Sequence, residues 1–245
     1  DKGPVELKRN ALYNLEEIKV RWKKAALENC PGVPCVVAPS FSCGTSAITD
    51  INNNSYNTVS VGTQCWMKEN LRVRKYNDGT EIRFDASGGV VGTTSQTWSG
   101  MGLAHGAYTL FAHDSMATPS NLTSYGYLYN WYAAKGIYTT GNIASTDTLN
   151  ICPSGWHVPT DAEWTTLTTE LGGESVAGGK MKSIGTAYWN SPNTGATNES
   201  GFSVLPGGYR DYDGSFNLIR VNAFFWSATE GDYYNAWSRY LSFNN

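Results

Sequence analysis

The sequence ICPSGWHVPTDAEWTTLTTEL, residues 151–171, predicts a capped helix that begins after a sharp turn. Two prolines and a glycine exclude regular structure just before the helix. Thr160 and Glu163 have the spacing of a capping box, in which each side chain bonds the other residue's backbone N–H. Asp161 adds negative charge to the first turn, where the helix dipole favours it. The glycine pair at 172–173 predicts the end of the helix.

The apolar residues of this stretch predict how the helix packs. Trp164, Leu167 and Leu171 follow one another at steps of three and four, so they form one apolar stripe. Trp156 and Val158 precede the cap, and we expect them to fold back on that stripe as a hydrophobic staple. The sequence therefore predicts a short helix held against the core by two core tryptophans.

Five motifs of the chain resemble, in order, those of one bacterial family. They are GTQCWMKENLRV (62–73), GYLYNWYAAKG (126–136), CPSGWHVPTDAEW (152–164), GFSVLPGGYRDYDGSF (201–216) and FFWSATE (224–230). On these motifs the chain resembles the Fibrobacter succinogenes major paralogous domain family over roughly residues 41–245. The resemblance implies an α+β, C-type-lectin-like fold with short antiparallel strands, one or two short helices and long loops. It also implies a secreted or surface-attached bacterial protein, and it carries over no known binding residues.

Composition favours an extracellular, loop-rich domain over a cytosolic helical enzyme. Only 16% of the 245 residues are charged and 13% are aromatic, and glycine occurs 26 times. This mixture is typical of β-structure anchored by aromatic residues. The net charge of −3 argues against a nucleic-acid partner, which needs a basic face. No run approaches the roughly 20 apolar residues of a membrane span. No signal peptide is present, and we interpret the start at Asp1 as processing or trimming.

The five cysteines favour disulfides in an oxidising compartment, because no Cys-x-x-Cys pair occurs and three histidines make a zinc cluster a poor alternative. We predict that Cys30 pairs with Cys35 across a short loop and that Cys43 pairs with Cys65. Cys152 is then left over and should be a buried thiol. In the resembled family the domain usually closes with a strand that carries a cysteine. This chain ends without it, which implies a trimmed C-terminus or a lost cysteine.

We divide the chain into an N-terminal amphipathic helix (1–29), a Pro-rich connector (30–42) and the lectin-like domain (43–245). Apolar residues recur in the first segment at helical steps, at Leu12, Leu15, Ile18, Trp22 and Ala26. Three interpretations of this helix stay open. It packs on its own domain, it is an assembly segment like the back half of a pilin helix, or it lies on a membrane surface.

From residue 43 onward, short strands are predicted to alternate with turns. The asparagines at 52–54 predict a hairpin between strands at 48–51 and 56–61. The aromatic block at 125–134 predicts a buried short helix that Gly136 ends. The remaining predictions are long loops over 85–124 with an ordered stretch near 107–112, and strands at 202–205, 218–221, 224–227 and 236–242.

The sequence does not support catalysis, so we expect a protein that is not an enzyme. The formylglycine-generating enzymes, which the resemblance brings in as relatives, need cysteines late in the domain, and none follows Cys152. No G-x-S-x-G motif supplies a nucleophile for a histidine. His105 and His113 are too sparse a signal for a metal pair, and we interpret His157 as a structural residue.

We expect no cofactor, with calcium as the alternative. The pattern Asp50-x-Asn52-x-Asn54 lacks the glycine and the distal glutamate of a helix-flanked calcium loop, which favours a turn. Asp211 and Asp213 lie where lectin-like folds bear long variable loops, and carboxylates there would suit calcium. The Glu-Pro-Asn or Gln-Pro-Asp tripeptide of calcium-dependent sugar lectins does not occur.

Two late loops gather aromatic and polar residues and form the predicted binding face. Aromatic rings stack on sugars and also dominate the hot spots of protein interfaces. The predicted ligand-binding residues are Tyr209, Arg210, Asp211, Tyr212, Asp213, Tyr233 and Tyr234. We interpret Trp226 and Trp237 instead as core aromatics of the sheet.

The sequence thus predicts a non-enzymatic structural or adhesive subunit of the bacterial cell surface, in which an N-terminal helix carries a lectin-like head in a pilin-like filament. Its partners would be other copies of itself, or surface proteins, through the helix, and glycans at the head. The alternative is a secreted carbohydrate- or protein-binding module that depends on calcium.

Overall fold

The computed structural model of the protein describes residues 40–84, 106–113, 121–136, 139–140, 143–144, 149–211, 213–231 and 236–245. The chain divides into two compact units, Asp1–Phe41 and Ser42–Asn245. Several predictions lie outside the described residues: the N-terminal helix, the Cys30–Cys35 pair, His105, Tyr212, Tyr233 and Tyr234.

Short strands form most of the regular structure in the second unit. They are β1 (Ile48–Thr49), β2 (Ser55–Tyr56), β3 (Thr58–Val61), β4 (Gln64–Met67), β5 (Arg83–Phe84), β6 (Ala107–Thr109), β7 (Leu128–Tyr129), β8 (Thr139–Thr140), β9 (Ile143–Ala144), β10 (Gly207–Arg210), β11 (Phe216–Ile219), β12 (Asn222–Glu230) and β13 (Ala236–Ser242). Within the described residues, the largest sheet has four strands in the order β11-β10-β12-β13. Strands β12 and β13 pair antiparallel, and β10 pairs parallel with β12.

Four α-helices lie in the described part of the chain: α1 (Asn121–Tyr125), α2 (Trp131–Lys135), α3 (Asp161–Glu170) and α4 (Glu174–Met181). The mixture of helices and short, mostly antiparallel strands is α+β, as predicted, but the expected number of helices was too low. Helix α4 was missed because its sequence contains two glycines, which disfavour helix. It forms because Ala177 and Met181 are buried in the core, and packing of this kind outweighs propensity.

The predicted cap of α3 is confirmed. The Thr160 side chain accepts a hydrogen bond from the Glu163 N–H, and the Glu163 carboxylate accepts one from the Thr160 N–H at 2.7 Å. Gly172 and Gly173 have φ values of 98° and 99°, in the left-handed region that glycine adopts without strain. These glycines end the helix where the sequence predicts it.

The apolar stripe of α3 lies in a tryptophan-rich cluster. Trp164, Leu167 and Leu171 are buried there together with Trp66 and Trp189. The ring centroids of Trp66 and Trp164 are 4.8 Å apart. Helix α3 is therefore anchored by a tryptophan of β4 as well as by its own.

The predicted hydrophobic staple is wrong. Trp156 and Val158 pack against a second cluster, which contains Cys152 and several tyrosines, and not against the stripe of α3. The cause is the turn before the cap. The Trp156 N–H donates to the Pro153 carbonyl at 2.9 Å, and the Asn150 side chain donates to the Trp156 carbonyl at 2.7 Å. These two bonds hold Trp156 beside the segment that precedes it.

The predictions for the smaller elements are confirmed in part. Strands β1 and β2 form a hairpin around the asparagines at 52–54 as expected, but both strands are shorter than predicted, and residues 58–61 form β3, which pairs with β4. The aromatic block contains the end of α1, all of β7 and most of α2, and not one helix; Gly136 ends α2 at φ 74° as predicted. The strand predicted at 202–205 is absent, apart from one bridge between Lys182 and Val204. Ser203 has φ 61°, which interrupts an extended backbone.

The cysteines inside the described residues behave as predicted. Cys43 and Cys65 form a disulfide with their Cα atoms 5.8 Å apart, and this bond ties the start of the domain to β4. Cys152 is a buried free thiol. Burial raises the pKa of the Cys152 thiol from its ordinary 9.0 to about 12, because the thiolate would have to be desolvated.

Candidate functional site

The inner face of the four-stranded sheet is packed. Ala223 of β12 and Leu241 of β13 are directly opposite each other, and both are buried in the tryptophan-rich cluster. Phe225 packs against the same cluster, with its ring centroid 5.5 Å from that of Trp164. An ion pair between Arg239 of β13 and Asp161 of α3 adds a polar contact. Helix α3 thus covers this side of β12 and β13.

The outer face of the same strands displays aromatic side chains. Successive residues of a strand point to opposite faces, so Phe224, Trp226 and Tyr240 lie away from α3. Their exposed fractions are 37%, 37% and 61%. Tyr209 of β10 lies beside Phe224, because Gly208 pairs with Ala223 in the parallel part of the sheet.

Three of these rings form a continuous row across β10, β12 and β13. The centroids of Tyr209 and Phe224 are 5.1 Å apart, with an interplanar angle of 68°. Those of Phe224 and Tyr240, which are opposite each other in the ladder, are 5.9 Å apart at 30°. We call Tyr209, Phe224 and Tyr240 the aromatic row.

The geometry of the aromatic row decides which partner it suits. Ring planes inclined by 68° and 30° cannot form one flat platform for a sugar chain. Exposed aromatic area without a common plane is instead typical of protein contacts, in which large rings supply most of the buried surface.

Strand β13 forms one edge of this sheet within the described residues. Its seven residues, AWSRYLS, include no proline, lysine or acidic residue, and its one charged residue, Arg239, forms an ion pair with Asp161 of α3. Trp237 and Tyr240 on this strand are 51% and 61% exposed. An edge strand of this length with exposed aromatic rings is a template for pairing with another strand.

The interpretation of Trp226 and Trp237 as core residues is wrong. Trp226 shares the outer face with Phe224, since β12 keeps Ala223 and Phe225 on the inner face. Its indole N–H donates to the Tyr129 carbonyl at 2.8 Å, which fixes the ring while leaving it partly exposed. The alternation along Phe224-Phe225-Trp226 indicates that Phe225 lies on the opposite face from Phe224 and Trp226. It does not indicate which of the two faces is covered.

The structure brings one of the predicted ligand-binding residues, Tyr209, into the aromatic row. Arg210 is half-buried, with its guanidinium carbon 5.5 Å from the centroid of the Phe216 ring. Asp211 and Asp213 lie in the turn between β10 and β11. The Ser215 hydroxyl and N–H bond to Asp213, and these hydrogen bonds hold the pKa of that carboxyl below its usual range.

The turn interpretation of residues 50–54 is confirmed. One Asp50 oxygen accepts from the N–H groups of Asn52 and Asn54 at 2.8 and 2.9 Å. The other accepts from the Asn54 amide at 2.8 Å and from the Tyr56 hydroxyl at 2.6 Å. Four hydrogen bonds thus occupy both oxygens. In the described part of the chain, no group of three or more histidine, cysteine or acidic residues is placed to hold a metal ion.

His157 lies at the start of α3. Its Nε2 is 2.8 Å from Oε1 of Glu163, the carboxylate of the capping box. Partial burial acts to raise the pKa of Glu163, but hydrogen bonds from Thr160 and His157 outweigh it and hold the pKa below its usual range. This contact strengthens the helix cap, in keeping with the structural interpretation of His157.

Two further findings bear on the function. No helix among the described residues has both the length and the apolar character that a membrane crossing needs. A comparison with models of protein families matches residues 59–244, more than half of the chain, to the Fibrobacter succinogenes major domain. No curated protein and no solved structure was found to match the chain.

Proposed function

The chain belongs to the Fibrobacter succinogenes major domain family, and on that premise we propose that it is a non-enzymatic structural or adhesive subunit of the bacterial cell surface. The observation that carries the proposal is the aromatic row on the outer face of the sheet. Three aromatic side chains linked by two ring contacts, one of them 61% exposed, favour a surface that meets another protein.

We propose that the partner is a second copy of this chain, bound along β13. Two identical edges that pair antiparallel about a two-fold axis are self-complementary, as a symmetric dimer requires. Such pairing would join two four-stranded sheets and place both copies of Tyr240 on one continuous outer face. It would also give hydrogen-bond partners to backbone groups of β13 that point away from β12.

The Cys43–Cys65 disulfide supports an extracellular location, because such bonds persist in oxidising compartments. The α+β content with short antiparallel strands supports the C-type-lectin-like fold that we propose for residues 43–245. In this proposal the N-terminal segment carries the head in a pilin-like filament, and contacts along β13 link neighbouring heads.

Sedimentation velocity of the full chain over a range of concentrations tests the proposal. We expect reversible dimers, and we expect Tyr240→Lys to weaken the dimer by about tenfold or more, because it replaces an aromatic ring of each paired strand by a like charge. Thr169→Lys, an exposed position on α3, is the matched control and should leave the dimer unchanged. A wild-type chain that stays monomeric at about 100 μM, or a Tyr240→Lys variant that dimerises normally, would contradict the proposal.

The alternative function is a secreted carbohydrate-binding module, and the exposed ring of Trp237 favours it because an exposed aromatic face can stack on a sugar. A glycan array with and without EDTA tests it. Glycan binding that Trp237→Ala abolishes and Tyr240→Lys leaves intact would support the module. Loss of that binding in EDTA would add the calcium dependence.

A further inference from the structure

A cleft of about 310 Å³ lies away from the aromatic row, between the β1–β2 hairpin and α1. Asn52 and Asn54 of the hairpin turn form one wall, and Thr123 of α1 forms another. Arg72 and Arg74, from the segment between β4 and β5, also line the cleft. A volume of this size suits a small molecule of about the size of one sugar ring.

The two arginines make the cleft positive. Within the described residues neither side chain forms an ion pair, and no acidic residue lines the cleft. Asp50 belongs to the same hairpin, but its two oxygens accept the four hydrogen bonds that hold the turn. The charge of the arginines is therefore not neutralised by a direct carboxylate contact in this part of the chain.

The Arg72 side chain is held in place by two contacts, and part of its guanidinium group remains available to a ligand. Its Nη2 donates to the Ser55 carbonyl at 3.2 Å, and its guanidinium carbon lies 5.5 Å from the centroid of the Tyr56 ring. The structure gives its Nη1 no partner among the described residues. Arg74 is exposed and lines the same cleft. A fixed guanidinium beside a free one is well suited to bind a carboxylate.

The remaining walls offer groups that recognise hydroxyls and an apolar ring face. The Asn52 Oδ1 accepts from the Arg74 N–H at 2.7 Å, which fixes the amide and leaves its Nδ2 without a partner in the described part. The amide of Asn54 is fixed in the same way by its bonds to Asp50 and to the Arg72 carbonyl. The half-buried ring of Tyr127 also lines the cleft, and its centroid is 4.6 Å from that of Tyr108.

We propose that this cleft binds a carboxylated sugar of the uronic-acid class. The arginines take the carboxylate, the asparagine amides take ring hydroxyls, and the Tyr127 side chain lies against the carbon skeleton. The site is independent of the dimer contact at β13, so each proposal stands or falls by itself.

Isothermal titration calorimetry of the full chain tests the site with three probes: glucuronate, glucose and inorganic phosphate. We expect glucuronate to bind at least about tenfold more tightly than glucose, since one charge-assisted hydrogen bond accounts for that factor. Arg74→Gln should weaken glucuronate binding by about tenfold or more. Arg83→Gln, which changes an exposed arginine outside the cleft, is the matched control and should bind glucuronate as the wild type does.

Three results would overturn the proposal. The first is that glucuronate does not bind at concentrations up to about 10 mM. The second is that glucose binds as tightly as glucuronate, or that Arg74→Gln binds glucuronate unchanged, since the arginines would then not select the ligand. The third is that phosphate binds as tightly as glucuronate, which would make the cleft a general anion site without sugar recognition.

Discussion

The two faces of the four-stranded sheet contain similar side chains and differ in what covers them. Phe225 and Leu241 on the inner face pack beneath Trp164 of α3, whereas Phe224 and Tyr240 on the outer face remain exposed. Adjacent residues of one strand therefore lie on opposite faces of the sheet, one covered and the other exposed. The inner side supplies apolar burial that stabilises the fold, and the outer side supplies area for a partner.

The comparison teaches that aromatic content alone does not identify a core. Tyr240 and Leu241 are neighbours in the sequence and in β13, yet the exposed fraction is 61% for one and 7% for the other. Their difference comes from α3, which lies on one face of the sheet. Three predictions test this difference, in order of decreasing effect: truncation on the two faces of the sheet, alkaline pH at a buried thiol, and the cap of the helix that covers the inner face.

The largest effect is expected from truncating adjacent residues on opposite faces. Leu241→Ala should lower the free energy of unfolding by about 2–5 kcal/mol, because it removes buried methyl groups and leaves a cavity. Tyr240→Ser should lower it by no more than about 1 kcal/mol, the contribution of its contact with Phe224. Urea unfolding at low protein concentration measures both without a contribution from association. Equal losses of unfolding free energy in the two variants would contradict the difference between the two faces.

Alkaline pH should lower the stability of the folded state through the buried thiol of Cys152. Because burial raises the pKa of Cys152 to about 12, the folded state keeps this proton between pH 9 and pH 12 while the unfolded state releases it. The stability that Cys152 contributes is thus fully present below pH 9 and is lost as the pH rises. The loss by pH 10.5 should be about 2 kcal/mol.

Urea unfolding at pH 8 and pH 10.5 measures this loss, and Cys152→Ala should show a smaller one. Some loss should remain in the variant, because desolvation by burial also raises the pKa of the Tyr56 and Tyr129 hydroxyls. If the wild type and Cys152→Ala lost the same stability between the two pH values, Cys152 would not be the group responsible.

A smaller effect is expected at the cap of α3, the helix that covers the inner face. Thr160→Ala should cost about 1 kcal/mol, since it leaves the Glu163 N–H without its side-chain partner. Thr169→Ala near the other end of the helix is the control and should change stability by less than about 0.5 kcal/mol. A larger loss for Thr169→Ala than for Thr160→Ala, in thermal unfolding of the two variants, would show that the cap does not hold the helix.

Local chemistry explains which parts of the fold the sequence could predict. The capping box, the glycine stop of α3, the hairpin at 52–54 and the Cys43–Cys65 pair each depend on residues with specific backbone or covalent requirements. The bounds predicted for β13, residues 236–242, are also those of the structure. These features need no knowledge of what lies above or below an element.

Tertiary contacts explain what the sequence could not predict. Lysine usually lies at the surface, but Lys182 is fully buried. Its Nζ donates to the carbonyls of Thr194, Ser242 and Asn245 at 2.8, 2.7 and 2.7 Å. Those carbonyls come from distant parts of the chain, so no local pattern indicates them. The desolvation that follows from burial lowers the pKa of Lys182.

The candidate site shows the same limit. Tyr209 was predicted because tyrosine and arginine cluster in its loop, but Phe224 and Tyr240 join it only through strand pairing. Trp226 was assigned to the wrong face, because alternation along β12 does not reveal which face α3 covers. Arg72 and Arg74 meet the hairpin asparagines across the fold, and their spacing alone does not indicate a cleft.

Hydrogen exchange of the β13 amides at low and high protein concentration tests the central claim most directly, namely that the outer aromatic row and the β13 edge form a contact surface. Over a roughly 100-fold range of concentration, we expect slower exchange at high concentration for amides of residues 236–242 that point away from β12. The amides of α3 should exchange at the same rate at both concentrations. Exchange in β13 that does not depend on concentration would contradict the account.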